Sequence, residues 1–151
     1  MIYLAADHRG FGLKEELKKF LINQEYEVED VGPFSFKETD DYVDYAKTAI
    51  EKVLVDPVVN KAILICGSGH GMNMAADKYK GIRAALCYNR YVAVQSREHE
   101  NVNVLVLASD WVKETEAKDI VYDWLNTAFA SEERHIRRIK KIEEIEEKNF
   151  K

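Results

Sequence analysis

Short, nearly unbroken apolar runs alternate along the chain with longer stretches whose apolar residues recur every three or four positions. Ile2–Ala6 (IYLAA) is the first run, the pattern of a strand covered on both faces. From about Phe11 to Asn23, Leu13, Leu17, Phe20 and Leu21 share one stripe and predict a helix. Tyr26–Val31 (YEVEDV) is a second, more polar strand ending at the Gly32–Pro33 turn signal. The loop SFKETDD, rich in capping residues, leads into a helix lined by Tyr42, Tyr45, Ala49, Ile50 and Val53. Lys61–Cys66 (KAILIC) is the most strongly patterned strand, followed by a glycine loop and a helix to about Lys78. Ile82–Cys87 and Val102–Ala108 give a fourth and a fifth strand, with a helix from about Asn89 to Glu98 between them. KETEAKDIVYDWLNTAF supplies an amphipathic helix, and the segment from Ser131 is strongly helical.

Alternating strand and helix units with buried strands predict an α/β fold. Its form is a Rossmann-like three-layer α/β/α domain with a five-stranded parallel sheet and an extra C-terminal helix. The 151 residues read as one domain, long enough to bury a proper core. In such sheets ligands bind outside the carboxyl ends of the strands, near a topological switch point. That rule singles out Asp7–His8, Cys66–Gly71 and the loop beginning near Ala108. In the last helix Ile136, Ile139, Ile142 and Ile145 are spaced by three, which winds partway around a straight helix. Some of them are expected to meet a second subunit.

Composition narrows the partners. A formal net charge of −5 argues against general affinity for nucleic acid or anionic membranes. An anionic ligand would have to be held by a local set of cations and backbone dipoles. No apolar run is long enough to span a bilayer, and MIYLAADHRG does not read as a signal peptide. The two cysteines, with no CxxC and no zinc spacing, read as free thiols in a reducing cytoplasm.

The candidate chemistry gathers at ICGSGHGM. Gly67, Gly69 and Gly71 are costly in conformational entropy, so something is expected to approach the backbone closely. A dinucleotide fingerprint fails because its third glycine would fall at Met72, and no P-loop sequence is present. What remains is a nest of backbone N–H groups at a helix start, suited to a phosphate or a developing oxyanion. The helix dipole there is expected to lower the pKa of Cys66. Position alone leaves two readings of Cys66, a reactive thiol or a small buried residue completing the strand; Cys87 reads as structural. His8, directly after Asp7 at a strand end, reads as a site residue, and His70 would border any ligand in the loop. His99 closes a helix, where a histidine also suits the dipole. Arg134 and Arg138 share one helical face, as an anion clamp or a solvated face would have them.

Taken in order and spacing, AADHRGFGLK, TDDYVDYA, ILICGSGHGMNMAADKYKGIRAA, SREHENVNVLVLAS and ERHIRRI resemble the type B ribose-5-phosphate isomerase family, which includes the galactose-6-phosphate isomerase subunits. The resemblance spans nearly the whole chain. It implies a cofactor-free aldose–ketose isomerase acting on a pentose 5-phosphate or hexose 6-phosphate, with no metal and with active sites shared across a homodimer. Whether such dimers pair further stays open. Carried over by residue, Cys66 matches the base that moves a proton between C1 and C2, and Ser68 the hydroxyl that orients it. Gly67, Gly69, His70 and Gly71 fall in the loop that holds the enediolate oxygen. His99 matches the residue that opens the sugar ring, Asp7 and Tyr42 contact the sugar, and His8, Arg134 and Arg138 bind phosphate. Some members use a glutamate on the helix after the loop as base; Met72 and Asn73 stand there, leaving Cys66.

Three positions depart from the family pattern. Glu100 replaces an asparagine, Asp110 an arginine near the substrate, and His70 an aliphatic residue. The resemblance places His99 and position 110 beside the partner's Cys66 site, so Glu100 and Asp110 are expected to bring negative charge to that substrate. A competing reading is a non-catalytic sugar-phosphate-binding or regulatory subunit of the same fold, which the presence of Cys66, Ser68 and His99 speaks against.

Overall fold

The computed structural model describes residues 1–150. Five parallel strands form one sheet, β1 (Ile2–Ala6), β2 (Val28–Asp30), β3 (Lys61–Cys66), β4 (Ala84–Leu86) and β5 (Val104–Ala108). Their order across the sheet is β2-β1-β3-β5-β4. The helices are α1 (Phe11–Asn23), α2 (Tyr42–Val53), α3 (His70–Ala76), α4 (Arg90–Glu100), α5 (Glu114–Asn126) and α6 (Glu133–Asn149).

Side chains alternate along a strand, so each inner strand feeds two cores. Leu4, Ile63, Ile65, Leu105 and Leu107 turn to one face and pack on α1, α4 and α5 around Trp124. Tyr3, Ala5, Leu64, Val104 and Val106 turn to the other and pack on α2 and α3. Burial on both faces is why these strands read as unbroken apolar runs. The three-layer prediction holds.

The edge strands are shorter than their sequence patterns, three residues each instead of six. At the start of the β4 run a turn takes the backbone first. The Ile82 N–H donates to the Tyr79 carbonyl at 3.1 Å, and the Arg83 N–H donates to the Asn103 side chain at 2.9 Å. Asn103 also donates to the Gly81 carbonyl at 2.9 Å, so β5 begins only at Val104. Before β2, the Tyr26 N–H donates back to Leu21 at the end of α1.

Strand order sets the position of the site. From β1 the chain moves to β2 on one side and then crosses to β3 on the other. The switch point lies between β1 and β3, at the ends carrying Ala6 and Cys66. On the outside, α6 packs against α4. It buries Ile139 but leaves Ile136, Ile142 and Ile145 about half exposed, at 50%, 43% and 62%. The three-residue spacing therefore puts one isoleucine of the four into the chain's own core. Among the described residues no helix is long and apolar enough to cross a membrane, and both cysteines are free thiols.

Candidate active site

β1 delivers Asp7 to the switch point, and the chain turns there around its carboxylate. Asp7 Oδ1 accepts the backbone N–H groups of Arg9 and Gly10, both at 3.0 Å, and the side chain is almost fully buried. Gly10 is required, because a Cβ there would collide with the Ile65 carbonyl. His8 is fixed by Asp40, whose Oδ1 accepts the His8 N–H at 3.0 Å and lies 2.7 Å from His8 Nδ1. The Asp40 side chain is 3% exposed and its second oxygen is buried without a partner.

β3 ends at Cys66, 4% exposed, and its glycine loop answers the question of what approaches the backbone. The Arg9 guanidinium lies on Gly67, within 2.6 Å of where a Cβ would stand. Leu86 occupies the side-chain position of Gly69, whose φ of +77° also favours glycine as the residue preceding α3. The Tyr42 phenol lies on Gly71. Ser68 folds into the loop itself, its hydroxyl accepting the His70 N–H at 3.3 Å. His70 faces a surface hollow with Asn73, Met74 and Leu86. The β5 end completes the enclosure. The Ser109 N–H donates to the Cys66 carbonyl at 2.9 Å, and the Asp110 N–H to the Gly67 carbonyl at 3.1 Å.

The expected lowering of the Cys66 pKa is corrected. Burial pushes the thiol above its ordinary value, although the N–H groups of Met72 and Gly69 pull the other way. Loss of hydration outweighs these donors. Cys87 is more extreme, pushed up to about 11 by burial, with Ser96 beside it, as suits a structural thiol.

The remaining candidates lie elsewhere. α4 runs back along the sheet from the end of β4, so His99, in its last turn, stands at the amino ends of the strands. Cys66 stands at the carboxyl end of β3, whose six residues measure about 17 Å. His99 opens onto a cavity of about 600 Å³ with Arg90, Tyr91, Glu98 and Asp123. Its ring stacks on His135 of α6, 4.3 Å between centroids, and His135 is buried with both ring nitrogens unpartnered. Arg134 and Arg138 are exposed near this end, with Arg134 Nε 2.9 Å from Glu132. One chain thus brings together Asp7, His8, Tyr42 and residues 66–71, and separates them from His99, Arg134 and Arg138.

Within one chain, Asp110 pairs with Arg9 above Gly67 of its own Cys66 loop. Glu100 lines a different cavity from His99, with Ile142, Ile145 and Phe150. Sequence reasoning missed Arg9, Asp40, Ser109 and His135. Asp40 sat inside the quoted TDDYVDYA stretch, but only contact with His8 reveals its part. Among the described residues no group of three or more His, Cys, Asp or Glu could hold a metal ion.

Residues 2–142 match the family model described as Ribose/Galactose Isomerase. The chain belongs to that family. A probable ribose-5-phosphate isomerase B of Mycoplasma genitalium is 42% identical over 141 residues, covering 93% of this chain and 92% of that protein. The ribose-5-phosphate isomerase B of Escherichia coli is 39% identical over 147 residues, 97% of each chain. The solved structure of ribose-5-phosphate isomerase B from Mycoplasma genitalium with bound ribulose-5-phosphate has a TM-score of 0.95 at 40% identity, covering 98% of this chain and 97% of that one. As a member of the ribose/galactose isomerase family, the chain is an aldose–ketose isomerase.

Proposed function

We propose that the chain interconverts the aldose and ketose forms of a phosphorylated sugar, a pentose 5-phosphate or a hexose 6-phosphate, with Cys66 as the base. The observation that carries this reading is the Cys66 thiol at the head of a loop whose Gly69 and Met72 N–H groups lie against it. As thiolate, Cys66 takes the proton from C2 of the open-chain aldose. The C–H electron pair becomes the C1–C2 double bond, and the carbonyl oxygen gains the charge of an enediolate. Cys66 then returns the proton to C1 while the C2 hydroxyl proton passes to the C1 oxygen, leaving the ketose. Atoms and electrons balance without an added oxidant or reductant.

A developing oxyanion is stabilised by donors already aimed at it, and the N–H groups of residues 67–71 are the nearest such set. Asp7 and Tyr42 hold sugar hydroxyls, Ser68 helps orient Cys66, and His99 opens the ring. His8, Arg134 and Arg138 bind the phosphate. The opposite placement of Cys66 and His99 in one chain supports a site completed by a second copy, since no sugar of this size reaches both. The half-exposed Ile136, Ile142 and Ile145 offer apolar area for such contact. We place the dimer in a reducing cytoplasm, which the free thiols support.

Incubating the protein with a panel of pentose and hexose phosphates, with NMR of the C2 proton in deuterated water, tests the reading. Turnover with loss of the C2 proton signal is expected on at least one sugar. Binding without turnover on every sugar would favour a non-catalytic subunit.

A further inference from the structure

Three loops meet at the carboxyl ends of β1, β3 and β5, and one cation is tied to all of them. The Arg9 N–H donates to Asp7 Oδ1 at 3.0 Å, and the Arg9 carbonyl accepts the Ser109 hydroxyl at 3.0 Å. Arg9 Nη2 donates to the Asp110 carboxylate, which is itself anchored by its N–H on the Gly67 carbonyl at 3.1 Å. The same Ser109 hydroxyl lies 3.2 Å from the Cys66 carbonyl. The guanidinium is thereby laid on Gly67, one residue from the thiol. A Cβ on Gly67 would stand 2.6 Å from Arg9 Cζ and Nε and 2.8 Å from Nη1.

A guanidinium presents five N–H donors in a fixed fork, and the Asp110 bond uses Nη2. Nη1 has no protein hydrogen-bond partner among the described residues, and the guanidinium meets Gly67 with Cζ and Nε equally near. Asp7, almost fully buried, faces the same thiol and would repel any negative charge developing there. Loop N–H groups carry only partial charge. Arg9 brings a cation to this corner, its charge shared with the Asp110 carboxylate.

We propose that Arg9 is a further ligand of the reacting sugar, its free Nη1 N–H groups donating to the oxygen that gains charge in the enediolate, and that Asp110 is the positioning residue that holds it there. This rests on Cys66 acting as the base. The Arg9 charge also acts on the Cys66 sulfur in the sense that favours thiolate.

The test is steady-state kinetics of Arg9→Gln on the sugar phosphate that the parent turns over, with Arg9→Lys, Asp110→Ala and the Arg9→Gln/Asp110→Ala double variant. Loss of one oxyanion donor lowers kcat by about 100-fold or more. That drop is expected in Arg9→Gln with KM within about threefold of the parent, and Arg9→Lys should keep more of kcat. Affinity for a sugar-phosphate hydroxamate, planar like the enediolate, should fall in parallel. Affinity for the reduced sugar-phosphate alditol should not change, which a merely structural role would not reproduce. The double variant should match Arg9→Gln alone, because Asp110 acts through Arg9.

A kcat for Arg9→Gln within about threefold of the parent would overturn the assignment, as would equal weakening of hydroxamate and alditol; the threefold margin is below the effect of one donor. Additive losses in the double variant would remove the positioning role of Asp110. A parent inert on every sugar phosphate defeats this inference and the Cys66 reading together. An active parent with an unaffected Arg9→Gln defeats only this one.

Discussion

Lys14 of α1 is fully buried, and its ammonium lies 2.6 Å from both carboxylate oxygens of Asp30 on β2. Deleting one partner of a buried pair costs about 3–5 kcal/mol, because the other charge is left behind. The two deletions are not equivalent here. Asp30→Ala leaves Lys14 with only Glu15, at 3.0 Å and 30% exposed, so the cost should be about 3 kcal/mol. Lys14→Met leaves Asp30 with Lys18 at 2.7 Å and the Gly32 N–H at 3.0 Å, and methionine fills the same apolar space. Its cost should be about 1 kcal/mol, one ordinary hydrogen bond. In a chain of this size each kcal/mol moves Tm by about 2–4 °C, so the two variants should separate clearly in calorimetry and urea unfolding.

Acid gives a second axis to the same experiment. Burial pushes the Asp30 carboxyl up, but the bonds from Lys14, Lys18 and the Gly32 N–H outweigh it and hold the group below its ordinary value. A carboxyl depressed on folding contributes stability above its unfolded pKa of about 3.9 and loses it as pH falls through the folded one. The gap between parent and Asp30→Ala should therefore narrow below about pH 4. Lys14→Met costing as much as Asp30→Ala, or a gap that ignores pH, would refute the reasoning. The pair matters for the site because the Gly32 carbonyl accepts the Ala6 N–H at 3.0 Å, beside the residues that deliver Asp7 and His8.

Three further outcomes are expected. Arg134→Ala and Arg138→Ala should each weaken the phosphorylated sugar by about 1.5–3 kcal/mol while barely changing any turnover of the free sugar; equal effects on both would make them structural. Mixed Cys66→Ala and His99→Ala subunits should recover activity through hybrid dimers, and a mixture that stays inactive despite proven exchange would rule out a shared site. Burial raises the Cys66 thiol, so iodoacetamide should alkylate it slowly near neutrality and faster as pH rises, with Cys87 unreactive throughout; a fast, pH-independent reaction at Cys66 would show a thiolate already formed.

The interior strands were legible because burial on both faces writes itself as unbroken apolar residues, as in KAILIC. The edges were less so, since Ile82 and Arg83 look like strand but spend their N–H groups on Tyr79 and Asn103. Residues of the site could be named from motif spacing wherever they fall next to a strand end, as Asp7, His8 and Cys66 do. Contacts across 100 residues, such as Ser109 to Arg9, leave no local trace. Gly67 and Gly71 announced that something approached, but Arg9 and Tyr42 could be identified only in three dimensions. The Cys66 pKa was misjudged because a dipole is visible in a sequence pattern while desolvation is not.

The central claim, that Cys66 carries the proton between C1 and C2, is tested most directly by solvent exchange at C2 in Cys66→Ala. The variant and the parent would be incubated in deuterated water with the sugar phosphate that the parent isomerises, with binding measured alongside by calorimetry. Exchange and turnover are expected to fall by about 100-fold or more, the loss of a general base, with ligand affinity close to the parent's. C2 exchange in Cys66→Ala within a few-fold of the parent would contradict the account.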